Sequence, residues 1–111
     1  MARVRPLRGD IFWVILDPTV GTEIKKTRPA VVVSNDSCNA FGSRVVVMPL
    51  TSNVTTLFPG EAHVHVCAEP SRALGDQLRS IDKARLGKRI GRLTAEDLVA
   101  VDNALRITLD L

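Results

Sequence analysis

The chain has 111 residues, with 15 Lys and Arg against 12 Asp and Glu, for a formal charge of +3. This length suits one domain, residues 1–111, and is enough to bury a core without a disulfide or metal staple. A hydrophobic share of 45% excludes a disordered chain. No apolar run approaches the ~18 residues of a membrane span.

The start is basic (Arg3, Arg5, Arg8), and the short apolar run after it has no signal-peptide cleavage site. The expected location is therefore the cytoplasm. Two cysteines, Cys38 and Cys67, match neither a CxxC spacing nor a disulfide framework.

In chain order, residues 11–16 (IFWVIL) are apolar, β-branched and aromatic, and predict a buried strand. Asp17 and Pro18 signal a turn, and a polar loop runs through Gly21 to Arg28. Pro29 biases Arg28 toward extended backbone. Residues 30–34 (AVVVS) predict a second strand, and the turn-rich residues 35–43 a loop. Residues 44–50 (RVVVMPL) predict a third strand, in which Pro49 implies an edge position or a bulge.

A loop follows over 51–59. Residues 61–67 alternate, with Ala62, Val64 and Val66 on one face and His63, His65 and Cys67 on the other. Short strands are expected at 78–81 and 87–93, with a turn of helix or a tight bend at 82–86. Thr94 with Asp97 resembles a capping box, and Leu98, Val101 and Leu105 fall at helical spacing. A helix is expected from Ala95 to about Asp110. Five or six short strands and a closing helix make the fold mainly β, a small barrel or bent sheet capped by a helix.

The modest net charge hides its placement. From Arg79 to Leu93 there are six cations against Asp82 alone, +5, and Lys25, Lys26 and Arg28 form a second group. Such clusters suit phosphates if the fold brings them together; the plainer alternative is a solvated face. His63 and His65 share a strand face but lack further ligands in sequence, so no metal site is expected. Neither cysteine has a basic partner in sequence, and no nucleophile elbow, P-loop or GxGxxG pattern occurs. Trp13 reads as core rather than as a base-stacking platform, and 4% aromatic residues are few for an RRM or OB-type reader.

Several motifs remain. Arg8, Gly9 and Asp10 precede the first strand, followed by DPTVGTE at 17–23 and TRPAVVVSND at 27–36. PLTS follows at 49–52, DQLRSID at 76–82 and IGRL at 90–93. Together, in this order and over nearly the whole chain, they resemble the MazF/PemK toxin family. The resemblance implies an SH3-like β-barrel with a C-terminal helix, working as a homodimer. It implies a sequence-selective endoribonuclease of a type II toxin–antitoxin system, cutting single-stranded RNA without a cofactor or metal. The partner would be a cognate MazE-like antitoxin whose acidic or apolar tail blocks the groove.

By the same resemblance, Arg28 and Thr51 match the catalytic arginine and threonine, and Glu23 matches an acid in a loop beside the site. Gln77 and Arg79 match the stretch that lines the RNA groove, and Lys25, Lys26, Asn35, Ser52 and Asp76 are further candidates for RNA contact. One branch of the family adds an arginine, an aspartate and a first-loop histidine. Here Leu74 replaces that arginine and no histidine precedes His63, so the chain fits the branch that relies on Arg28 and Thr51. Outside these contexts, Arg28 and Thr51 are a surface cation and a strand-end turn residue. Likewise, Glu23 and Lys26 are solvated loop charges, and Gln77 and Arg79 one exposed strand face.

The chemistry is consistent with these residue types. RNA carries its own nucleophile, the 2′-hydroxyl, and the protein must move a proton and stabilise charge on phosphoryl oxygens. Arg28 offers a rigid fork of donors but is a poor base, which leaves Glu23 as the candidate base. The competing expectation is a non-catalytic member of the same fold that binds nucleic acid or inhibits a protein target, as the related gyrase poison CcdB does. Arg28 and Thr51 in matching contexts favour the nuclease.

Overall fold

The runs AVVV and VVVM lack the alternation of a half-exposed strand because both of their faces are buried. A computed structural model describes residues 5–18, 20–23 and 26–111. Seven strands form one antiparallel sheet: β1 (Asp10–Ile15), β2 (Thr27–Val32), β3 (Arg44–Thr51), β4 (Glu61–Val66), β5 (Glu69–Leu74), β6 (Arg79–Asp82) and β7 (Leu86–Arg92). The helices are α1 (Asp36–Phe41) and α2 (Ala95–Leu109).

The strand order is β4-β5-β3-β2-β1-β7, and β6 also pairs with β3. Neighbouring residues point to opposite sides. Ile11, Val31, Met48, Leu50 and Val64 pack beneath α2 through Val101 and Ala104. Phe12, Val14, Leu16, Ala30, Val32, Val47 and Ile81 fill the other side, where the sheet curls on itself. The expected mainly β fold with a C-terminal helix is present as a strongly curled, half-closed barrel.

Four expectations change. Residues 36–41 are helical, because Asn35 accepts the Ser37 amide as N-cap and the buried Asn39 side chain donates to the Ser34 carbonyl. β5 adds a strand that pairs with β4 through a two-residue turn in which Cys67 and Ala68 both have positive φ. β3 is central rather than an edge. Its outer side pairs with β6 through Val47 and with β5 from Leu50, so Pro49 sits in the gap where a missing N–H breaks no ladder.

Trp13 is not core: it lies 42% exposed on β1 beside exposed Ile15. Strand alternation puts both on the side of β1 opposite Phe12 and Val14, and neither joins the cluster that Ile11 forms with α2.

The capping expectation holds by half. Thr94 accepts the Asp97 amide at 3.1 Å, but the Asp97 carboxylate turns to the His65 amide at 2.8 Å and its Nδ1 at 3.2 Å. The helix start is thereby fixed to β4 rather than closed on itself. No helix among the described residues is long and apolar enough to cross a membrane.

Candidate active site

The TRP motif runs into β2 because Pro29 holds Arg28 extended, and the PLTS motif ends β3 at Thr51. β2 and β3 are antiparallel, with Ala30 opposite Pro49. The paired stretch stops there, and Arg28 and Thr51 each lie two residues beyond it, at the same end of the strand pair. Thr51 pairs with Arg72 on β5, and Arg72 with His63 on β4. Directly opposed residues share a sheet face, so Thr51, Arg72 and His63 form one polar row across three strands.

Arg28 is exposed and Thr51 half-buried. Thr51 Oγ1 accepts the Asn53 amide at 3.3 Å, a turn that starts the next loop and leaves Ser52 exposed beside it.

The loop between β1 and β2 is shut at its root, where the Leu16 amide donates to the Lys26 carbonyl at 3.0 Å. Two arginines from the far end of the chain fasten the same root. Arg79 donates to the Leu16 carbonyl at 3.1 Å, and Arg85 to the Ile15 and Asp17 carbonyls at 3.0 and 2.7 Å. Within the loop, the Glu23 carboxylate accepts the Val20 amide and the Glu23 amide returns to the Val20 carbonyl. This compact turn leans over a cleft of about 230 Å³, which Thr22 and Glu23 share with Asp76, Gln77, Leu78 and Arg79.

The candidates thus fall into adjoining groups. Arg28, Thr51 and Ser52 lie at the ends of two paired strands, and Glu23, Asp76, Gln77 and Arg79 line the neighbouring cleft. The two groups are joined through β5, whose Arg72 pairs with Thr51 and whose end at Leu74 leads into the turn carrying Asp76 and Gln77. Gln77 lies in a 3-10 turn, Gly75–Gln77, not on the strand with Arg79. Lys26 is exposed at the loop root, with φ +65°. Lys25 lies outside the described residues. Asn35 is not brought to this site: it caps α1, seven residues along the chain from Arg28.

The +5 stretch also divides. Arg89 and Arg92 both donate to the buried Asp10 carboxylate, at 3.2 and 3.1 Å, near the opposite end of β1. Among the described residues, Arg79 and Arg85 of that stretch hold the β1–β2 loop, and the cleft, with Glu23, Asp76 and Arg79, carries both signs of charge. His63 and His65 are exposed on β4, as the alternation predicts. Among the described residues no three His, Cys, Asp or Glu side chains are grouped to hold a metal. Arg72 and Glu61, beside the candidate site, were not singled out in the sequence, and Arg85 only as one cation of the +5 stretch; for Arg72 the local signal was the alternation of Ser71, Arg72 and Ala73.

The strongly curled small sheet with its closing helix, together with the matches that follow, makes this a toxin–antitoxin endoribonuclease. The chain belongs to the PemK-like, MazF-like toxins of type II toxin–antitoxin systems, whose family model matches residues 7–109. It is 40% identical over 113 residues to endoribonuclease MazF9 of Mycobacterium tuberculosis, covering 94% of this chain and 96% of that one. Its fold is similar to a crystal structure of MazF from Deinococcus radiodurans, with TM-score 0.85, 26% identity and coverage of 98% and 100%. It is also similar to a mycobacterial endoribonuclease solved in complex with its cognate antitoxin, with TM-score 0.81, 23% identity and 96% of each chain covered.

Proposed function

We propose that this chain cuts single-stranded RNA at selected sequences by attack of a ribose 2′-hydroxyl on the adjacent phosphate. The 2′-oxygen bonds to phosphorus and the 5′-oxygen leaves, giving a 2′,3′-cyclic phosphate and a 5′-hydroxyl end. The nucleophile belongs to the substrate, so the reaction needs no metal-activated water.

The observation that carries this reading is the β2/β3 register, which supports a shared role for Arg28 and Thr51 on one phosphate. The Arg28 guanidinium pairs with the phosphoryl oxygens as their charge grows, and the Thr51 hydroxyl donates a further hydrogen bond. Glu23, on the loop over the cleft, takes the 2′-hydroxyl proton. Arg28 supplies the proton that the leaving 5′-oxygen requires, directly or through water. Asp76, Gln77, Arg79 and Ser52 contact the flanking nucleotides, as do Lys25 and Lys26 on the loop.

The chain acts as one domain in the cytoplasm, as a homodimer whose groove a MazE-like antitoxin covers; the antitoxin complex of the mycobacterial relative supports that partner. The test is a long single-stranded RNA, its DNA counterpart and an RNA with one 2′-deoxy residue at a mapped cut, all in excess EDTA. Cuts at a few short sites in RNA, lost only at the deoxy position, support the reading. Uncut RNA alongside nucleic-acid binding or gyrase inhibition overturns it in favour of the non-catalytic alternative.

A further inference from the structure

Next to Thr51 on the sheet stands Arg72, whose side chain is only 12% exposed and faces a Glu61 side chain 8% exposed. A pair of opposite charges so far from water must be held by good geometry or by further contacts. Both partners make their further contacts to one segment, the loop that leaves Thr51. Arg72 Nη1 donates to the Thr56 carbonyl at 2.8 Å and to the Thr56 hydroxyl. Glu61 Oε1 accepts the Phe58 amide at 3.0 Å and lies 3.6 Å from Arg72 Nε. The first half of the loop is bound to itself, with Asn53 Oδ1 accepting the Thr55 amide and hydroxyl at 3.1 and 2.7 Å. Its second half is held by the Arg72–Glu61 pair and by the Glu61 amide, which donates to the Phe58 carbonyl at 3.1 Å.

We propose that Arg72 and Glu61 are positioning residues that hold the 52–59 loop beside Thr51 and so select the nucleotides flanking the cut. The role rests on the RNA-cleaving reading above. Residues 52–59 are all exposed, and among them Asn53, Thr55 and Phe58 carry the hydrogen-bonding and stacking groups that read unpaired bases. The guanidinium matters for its shape: one arm reaches the Thr56 carbonyl while Nε stays against Glu61, which a lysine ammonium cannot do at once.

The test compares wild type, Arg72→Gln, Arg72→Lys and the double variant Arg72→Gln with Glu61→Gln. The double variant leaves no buried charge unpaired, so it folds even if the single one does not. Two readouts are taken: chymotrypsin cleavage after Leu57, and steady-state cleavage of an RNA pool with sequencing of the new ends. Faster cutting after Leu57, a broadened set of RNA cut sites and a loss of about 10²-fold in kcat/KM carried mainly by KM are expected. Arg72→Lys should recover the protease resistance only in part.

An unchanged protease rate, or an opened loop with wild-type cut sites and KM, overturns the proposal. If wild-type protein leaves RNA intact, the RNA-cleaving reading has failed and this role falls with it. The protease readout identifies that case, because the loop still opens in the variants.

Discussion

Gly75 lies against the Gly60 carbonyl, to which its amide donates at 3.1 Å, and a Cβ at Gly75 would collide with that oxygen and with the Thr108 hydroxyl of α2. Three distant segments meet there: the end of the closing helix, the start of β4 and the turn that carries Asp76 and Gln77. Gly75→Ala must push backbone from backbone, so it should cost about 1–3 kcal/mol by overpacking. Thermal unfolding measures it; an unchanged melting temperature would show that the contact relaxes freely.

Asp10 is 4% exposed and accepts from Arg89, Arg92 and the Leu7 amide, the last at 2.9 Å. Asp10→Ala leaves two cations and a backbone amide without their acceptor, and a loss of about 2–4 kcal/mol is expected in urea unfolding. Arg89→Ala removes one half-exposed cation while the other keeps the carboxylate paired. Its cost should stay below about 1 kcal/mol.

Thr94→Ala should cost about 1 kcal/mol, the usual value of an N-cap that accepts one amide. Asp97→Ala should cost more, since it removes the acceptor of the His65 amide and frees the helix start from β4. Equal losses for the two variants, read by urea unfolding, would mean that the link to β4 contributes nothing.

Much of the frame was legible in the sequence because β1, β2, β3 and β4 are apolar runs or clean alternations, and α2 has a cap and a helical stripe. β5 was not. Its Glu69, Pro70, Ser71 and Arg72 are polar locally and become a strand only between β3 and β4. The turn before it offers no glycine or asparagine, although Cys67 and Ala68 take the positive φ those residues favour. α1 was hidden for a related reason, since a six-residue helix held by an asparagine cap and a buried asparagine reads as a turn. Trp13 shows the limit of an apolar run: composition says strand, but only tertiary packing decides which side is covered. The candidate site divided in the same way: motif alone pointed to Arg28 and Thr51, whereas the roles of Arg72 and Arg85 became visible only once segments far apart in sequence were brought together.

Glu23→Gln keeps the hydrogen bond from the Val20 amide but cannot take up a proton. Cleavage should slow by about 10²- to 10⁴-fold with the RNA affinity unchanged. Single-turnover rates together with a binding titration check this. A wild-type rate would exclude Glu23 as the base while leaving Arg28 and Thr51 in place.

The most direct measurement is a double-variant cycle at those two positions, with single-turnover cleavage rates for wild type, Arg28→Ala, Thr51→Ala and the double variant in excess EDTA. Groups that stabilise the same phosphate act as a unit, and their losses do not add. Each single variant should lose about 10²- to 10³-fold or more while remaining folded, and the double variant should be little slower than the worse single one. Near wild-type rates in either single variant, or losses that simply multiply in the double, would contradict the account.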